Sequence, residues 1–121
     1  MRPRGGRSPL AVVHPGMQVQ EREGAVIVTV VEDQCSTLWK TIEPYLEGGK
    51  KGCVLDMSQV MFLNSVNIAA IISLRNKVVG AGGKLAIAEL KDRVKSIFRV
   101  LKLDRLFDLN RTMDAAVASV R

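Results

Sequence analysis

Histidine, cysteine and aromatic residues are scarce in this chain, and each scarcity removes a class of function. There is one histidine, His14, in 121 residues. It stands beside a terminal stretch rich in Gly, Pro and Arg, which argues against Ser–His and Cys–His nucleophilic sites. The two cysteines, Cys35 and Cys53, form no Cys-x-x-Cys pair and neither is near His14. That spacing argues against a metal site or a disulfide framework and reads as two reduced, mostly buried thiols. Three Phe, one Tyr and one Trp make 4% of the residues, against 47% apolar. The core is therefore expected to be aliphatic, and the stacking platforms of single-strand nucleic-acid binders are missing. No apolar run approaches the ~20 residues needed to span a bilayer. No secretory h-region follows the basic N-terminus, because residues 10–13 are too short a run and Pro15-Gly16 breaks it. The expectation is a cytoplasmic protein without direct membrane insertion. No P-loop and no Gly-x-Gly-x-x-Gly follows a strand; Gly80, Gly82 and Gly83 precede one and read as a helix stop. Glu32, Asp33, Asp56 and Glu89 are scattered along the chain, although Asp56 and Glu89 fall near predicted strand ends, where α/β sheets bind ligands. No catalytic residue, cofactor or metal is expected, so the chain reads as a non-enzyme.

What is present is one domain's worth of regular alternation. The length suits a single domain, since halving it would leave each part too little interior. The net charge is +6, which raises nucleic acid as a partner. Arg2, Arg4 and Arg7 lie in the first 15 residues, however, and without them 15 basic residues face 12 acidic ones. Residues 1–15 are expected to be a disordered basic tail. Beyond it, 17–20 is a short edge strand and 25–31 (AVIVTVV) a β-branched strand, with Glu23-Gly24 as the hairpin turn between them. Ser36 is placed as the N-cap of a helix running to Glu47, with Pro44 expected to kink or shorten it. Residues 52–56 (GCVLD) form a buried strand. After a loop, Asn64-Ser65 opens a long helix to about Ala81, with Ile68, Ile71, Ile72, Leu74, Val78 and Val79 as its apolar set. Residues 84–88 (KLAIA) are the next strand and 92–101 a helix with Val94, Ile97, Phe98 and Leu101 inward. Lys91, Lys95, Arg99 and Lys102 make a basic stripe on that helix. A last short strand is expected at 106–109, and Thr112 caps a final helix to Val120. The fold class is α/β: a mixed, mostly parallel sheet of 4–5 strands with about four helices largely on one face.

One stretch carries a family likeness. Val54-Leu55-Asp56-Met57-Ser58 leads into Val60-Met61-Phe62-Leu63-Asn64-Ser65. The long helix, Gly82-Gly83-Lys84-Leu85, and Leu101-Lys102-Leu103-Asp104-Arg105-Leu106-Phe107 follow in order. In order and spacing this resembles the STAS domain family, specifically the bacterial anti-sigma factor antagonists. The likeness covers about residues 17–120, so residues 16–121 are read as one STAS-like domain. It implies a regulatory protein that binds an anti-sigma factor, itself a serine kinase, in a partner-switching pathway of transcription. Ser65 aligns with the serine that such a kinase phosphorylates. The implied contact surface comprises Ser58, Asn64, Ser65, Val66 and Asn67. Asn64 stands where the family has Asp, Val66 where it has a second Ser or Thr, and Asn67 where it has Gly.

Two readings of Ser65 stay open at this stage: a phosphoacceptor, or a helix N-cap worth about 1 kcal/mol, a role Asn64 could fill equally well. Three readings of the whole chain do too. The first is the partner-switching antagonist. The second is a STAS adaptor that supports a larger assembly, such as a lipid or solute transporter, without being switched. The third, nucleic-acid binding through the basic residues, is the least favoured. A homodimer is compatible with all three.

Overall fold

The structure is a computed structural model that describes residues 17–121. The expected tail at 1–15, with its arginines and His14, lies outside the described residues. Four strands form one sheet in the order β1-β2-β3-β4. They are β1 (Gln18–Arg22), β2 (Ala25–Thr29), β3 (Gly52–Asp56) and β4 (Lys84–Ala88). β1 pairs antiparallel with β2, while β2–β3 and β3–β4 are parallel. The hairpin turn is Glu23-Gly24, with φ of 52° and 86°. Two successive positive φ values are the signature of a type I′ turn, whose twist matches that of the strands it joins, and glycine takes the second at no steric cost.

The helices are α1 (Leu38–Glu47), α2 (Ser65–Gly80), α3 (Asp92–Val100) and α4 (Met113–Ser119). Side chains alternate across the sheet with period two, and this divides the interior. Val26, Val28, Cys53, Leu55 and Ile87 pack with Leu38 and Ile42 of α1, Ile68, Ile71, Leu74 and Val78 of α2, and Val94 and Phe98 of α3. Ala25, Ile27, Val54, Ala86 and Ala88 face the other way, against Ala116, Val117 and Val120 around α4. Three helices thus share one face, as expected, and the short fourth covers the other. The small side chains of β4 permit that close approach. So does Gly52: a Cβ there would lie 2.5 Å from the Val120 carbonyl oxygen.

Three local expectations are corrected. Ser36 is not a helix cap. Residues Glu32–Thr37 form a 3-10 turn that runs straight into α1, and Thr37 is the N-cap. α1 runs to Glu47 as expected, with Pro44 inside it and no shortening. Pro44 lies on an exposed side of the helix, as does Lys40 four residues before it, whose carbonyl the proline leaves without its N–H partner. No strand forms at 106–109. Leu103–Arg105 is another 3-10 turn, and Phe107 turns inward instead, its ring 5.7 Å from that of Phe98 at 76°. An edge-to-face aromatic contact plus burial outweighs one more edge strand on a short apolar run. Val79 and Leu101, assigned to the apolar faces of α2 and α3, are exposed.

Candidate functional site

The parallel strands end at Asp56 and Ala88, and the chain there is fastened by its own polar groups. Met57 N–H donates to the Ala88 carbonyl at 2.9 Å, and Val60 N–H to the Met57 carbonyl at 3.0 Å. The Asp56 carboxylate accepts from Ser58 N–H at 2.9 Å. Met57, Val60 and Leu63 are buried and anchor the β3–α2 loop from below. The remaining large side chains of this loop have nowhere to go. Met61 is 47% exposed, Phe62 59%, and Val66, one residue into α2, 67%.

The start of α2 is capped by a reciprocal pair of asparagines. Asn67 N–H donates to Asn64 Oδ1 at 2.8 Å, and Asn64 N–H donates to Asn67 Oδ1 at 3.1 Å. This is a capping box with Asn at both positions. Asn67 has a further bond, from Nδ2 to the Glu32 carbonyl at 2.7 Å. The Glu32 carboxylate in turn accepts from Met61 N–H at 3.3 Å. The 3-10 turn, the loop and the helix N-terminus are therefore one hydrogen-bonded unit. Ser65 sits inside it as the first residue of α2, exposed. Among the described residues its hydroxyl has no hydrogen-bond partner. The cap is Asn64, so that alternative for Ser65 falls away.

Asn64, Ser65, Val66 and Asn67 are consecutive, and Ser58 lies on the same loop at the same end of the sheet. Sequence reasoning missed Met61 and Phe62 as exposed members of this surface, and Glu32 as its brace. The signal for the first two was there: adjacent large apolar residues in a loop with no periodic element to bury them. Glu32 gave none, since it acts partly through its backbone.

Other candidate chemistry at this end is engaged elsewhere. Glu89, at φ 61°, receives Met113 N–H on its carboxylate at 2.7 Å and so caps α4. Cys35 is buried beneath the 3-10 turn, with Sγ 3.7 Å from the Val31 carbonyl. Burial pushes its thiol up to about 11; the Asn67 amide pulls the other way, and Glu32 and Asp33 add to the rise. Burial pushes Cys53 upward as well. Both thiols are free and neutral at physiological pH, the opposite of a reactive thiolate. No group of His, Cys, Asp and Glu among the described residues could hold a metal ion, and no described helix is long and apolar enough to cross a membrane. Along α2 beyond Ser65, an open depression of ≈ 550 Å³ is lined by Ala69, Ile72, Ser73, Asn76 and Lys77. These residues continue the Ser65 face at helical spacing.

Comparison with known proteins places this arrangement. The STAS domain family model matches residues 16–116. A solved Thermotoga maritima protein designated an anti-sigma factor antagonist superposes with a TM-score of 0.75 at 19% identity, covering 87% of this chain and 94% of that one. An anti-sigma factor antagonist from Mycobacterium paratuberculosis gives 0.71 at 22% identity, with 87% and 92% covered. The Bacillus cell-fate determinant SpoIIAA in its phosphorylated form gives 0.65 at 12% identity, with 88% and 100% covered.

Proposed function

This chain belongs to the STAS domain family, and from that premise we propose that it is a regulatory binding protein of the anti-sigma factor antagonist kind. Its partner in this reading is an anti-sigma factor that is also a serine kinase, and Ser65 is the phosphoacceptor. The observation that carries the reading is the state of the Ser65 hydroxyl: exposed at the first position of α2, unused by the cap, and followed at once by the exposed Val66, with the exposed Phe62 three residues before it. The protein works by docking and not by chemistry of its own.

A surface of this kind reads phosphorylation by electrostatics. The apolar side chains of Met61, Phe62 and Val66 supply contact area, and the neutral hydroxyl sits among them. A phosphate adds about −1.5 to −2 charges. The positive end of the helix dipole and the free N–H groups of the first turn tolerate that charge in the free protein. A partner surface fitted to the hydroxyl has to desolvate it without compensation. The modified form therefore stays folded and loses its partner.

The test is a titration with the cognate serine kinase of the anti-sigma type. Wild type and Ser65→Ala bind, and Ser65→Asp binds at least about tenfold more weakly, a difference of roughly 1.4 kcal/mol. Intact-mass measurement after incubation with kinase and ATP shows one phosphate on wild type and none on Ser65→Ala. Absence of binding by both wild type and Ser65→Ala overturns the proposal. Asn67, in the family's glycine position and bonded on three sides, favours the second reading, an unswitched adaptor. Its mark is co-purification with a transporter ATPase, indifferent to Ser65→Asp.

A further inference from the structure

The described residues carry 15 basic against 12 acidic side chains, but the excess is not spread evenly. Residues 91–105 hold six basic and two acidic residues, while the rest of the described chain holds nine basic and ten acidic. All the positive surplus of the folded body thus lies on α3 and the 3-10 turn after it. Lys91, Arg93, Arg99, Lys102 and Arg105 are exposed. Among the described residues none of the five has a carboxylate within ion-pair distance; of the nine basic residues elsewhere, Arg22, Lys50, Arg111 and Arg121 are paired, and the unpaired Lys40, Lys51, Arg75, Lys77 and Lys84 are spread over four other segments. Lys95, a member of the basic stripe seen in the sequence, turns aside to Asn110 at 3.2 Å.

The same segment exposes apolar surface. Val100 is 78% exposed, Leu101 49% and Leu106 39%. Beside them a cleft of ≈ 420 Å³ is lined by residues that include Arg99, Arg105, Leu106 and Asn110. Asp104 and Asp108 also line it. Asp108 is held by Asn110 N–H at 2.9 Å and by Arg111 at 3.4 Å, which leaves Asp104 as the one uncommitted acid on the rim. This region is separate from the β3–α2 loop, and the function proposed above makes no use of it.

We propose that the C-terminal end of α3 and the following turn form a second docking surface, and that its occupant is an acidic amphipathic segment of a partner protein. Charge complementarity sets the sign of the partner, since the unpaired Arg99, Lys102 and Arg105 adjoin the exposed Val100, Leu101 and Leu106 in sequence and attract carboxylates placed around apolar anchors. The cleft beside Leu106 receives a side chain, which a flat lipid leaflet does not supply. The patch also lacks the Trp and Tyr residues that anchor proteins at headgroup level. Nucleic acid would leave Val100, Leu101 and Leu106 against phosphates with no gain.

The probe is a synthetic helical peptide with leucines on one face and glutamates flanking them, titrated into the full chain by fluorescence anisotropy. Saturable binding is expected, weakening steeply with salt. Combined Arg99→Glu and Arg105→Glu lowers affinity about tenfold or more, as does combined Val100→Ser and Leu106→Ser, with thermal midpoints near wild type because all four side chains are exposed. Ser65→Asp leaves this binding unchanged, which separates it from the partner-switching surface. The proposal is overturned by absence of saturable binding, by equal binding of the peptide with lysines for glutamates, or by undiminished binding in both double variants. Capture instead by phosphatidylglycerol vesicles, lost in the same variants, assigns the surface to lipid and equally overturns it.

Discussion

Asn67 makes three hydrogen bonds to two residues: its N–H donates to Asn64 Oδ1, its amide oxygen accepts from Asn64 N–H, and its amide nitrogen donates to the Glu32 carbonyl. Returning this position to the family's glycine removes both side-chain bonds and loosens the first turn of α2. The expected cost is about 1–3 kcal/mol, measured as a lower urea midpoint. Lys102 is the reverse case. It follows the C-cap of α3 at φ 63°, a left-handed position where glycine has no steric penalty. Lys102→Gly is expected to raise stability by roughly 0.5–1 kcal/mol in the same assay. Cys35 gives the residue scale its pH dependence. Its thiol titrates near 9 when unfolded and about 11 when folded. Below pH 9 both states hold the proton and the contribution is complete. Between the two values the unfolded chain has lost its proton and the folded chain has not, so stability falls as pH rises. The drop in urea midpoint from pH 8 to pH 10.5 should therefore be smaller in Cys35→Ala than in wild type.

Elements were legible in the sequence wherever one period ran for several residues. β3 and β4 fall at the predicted residues, and α2 begins at Ser65 as Asn64-Ser65 implied, because each is bounded by strong punctuation: Gly-Gly, Asn-Ser, Gly-Gly-Lys. The errors fall where tertiary contact overrides local signal. Ser36 is a good capping residue in isolation, but the 3-10 turn is held by α2 through Asn67, and the cap moves one residue on, to Thr37. Residues 106–109 have strand-like composition, yet Phe98 offers Phe107 a better partner than a sheet edge does. The position of α4 on the far face was not readable, because its own pattern does not say which side of the sheet it meets. Gly52 is where that docking can be broken. Gly52→Ala puts a methyl group 2.5 Å from the Val120 carbonyl and 2.8 Å from Val120 Cγ2. Expected is a loss of roughly 1–3 kcal/mol, with hydrogen exchange rising first in α4 amides while α2 amides stay protected.

At the scale of the molecule, the candidate site was half legible. The turn at Asn64-Ser65 could be found from pattern and family likeness, but its setting of Met61, Phe62 and the Glu32 brace could not, because those residues meet through a loop with no period. The whole-chain charge was misleading in a similar way: +6 in the sequence says little until it is divided between a terminal stretch, a nearly neutral body and one cationic helix. The cap of α2 has a consequence for the protein's economy in the cell. Because two asparagines hold the helix, the serine between them can change chemistry without altering the fold. Ser65→Asp is expected to unfold within about 0.5 kcal/mol of wild type and to resist proteolysis equally. If Ser65 is the acceptor proposed above, a pool of this protein is redistributed between partners by modification without being depleted by turnover, its history recorded on the surface and its copy number left alone.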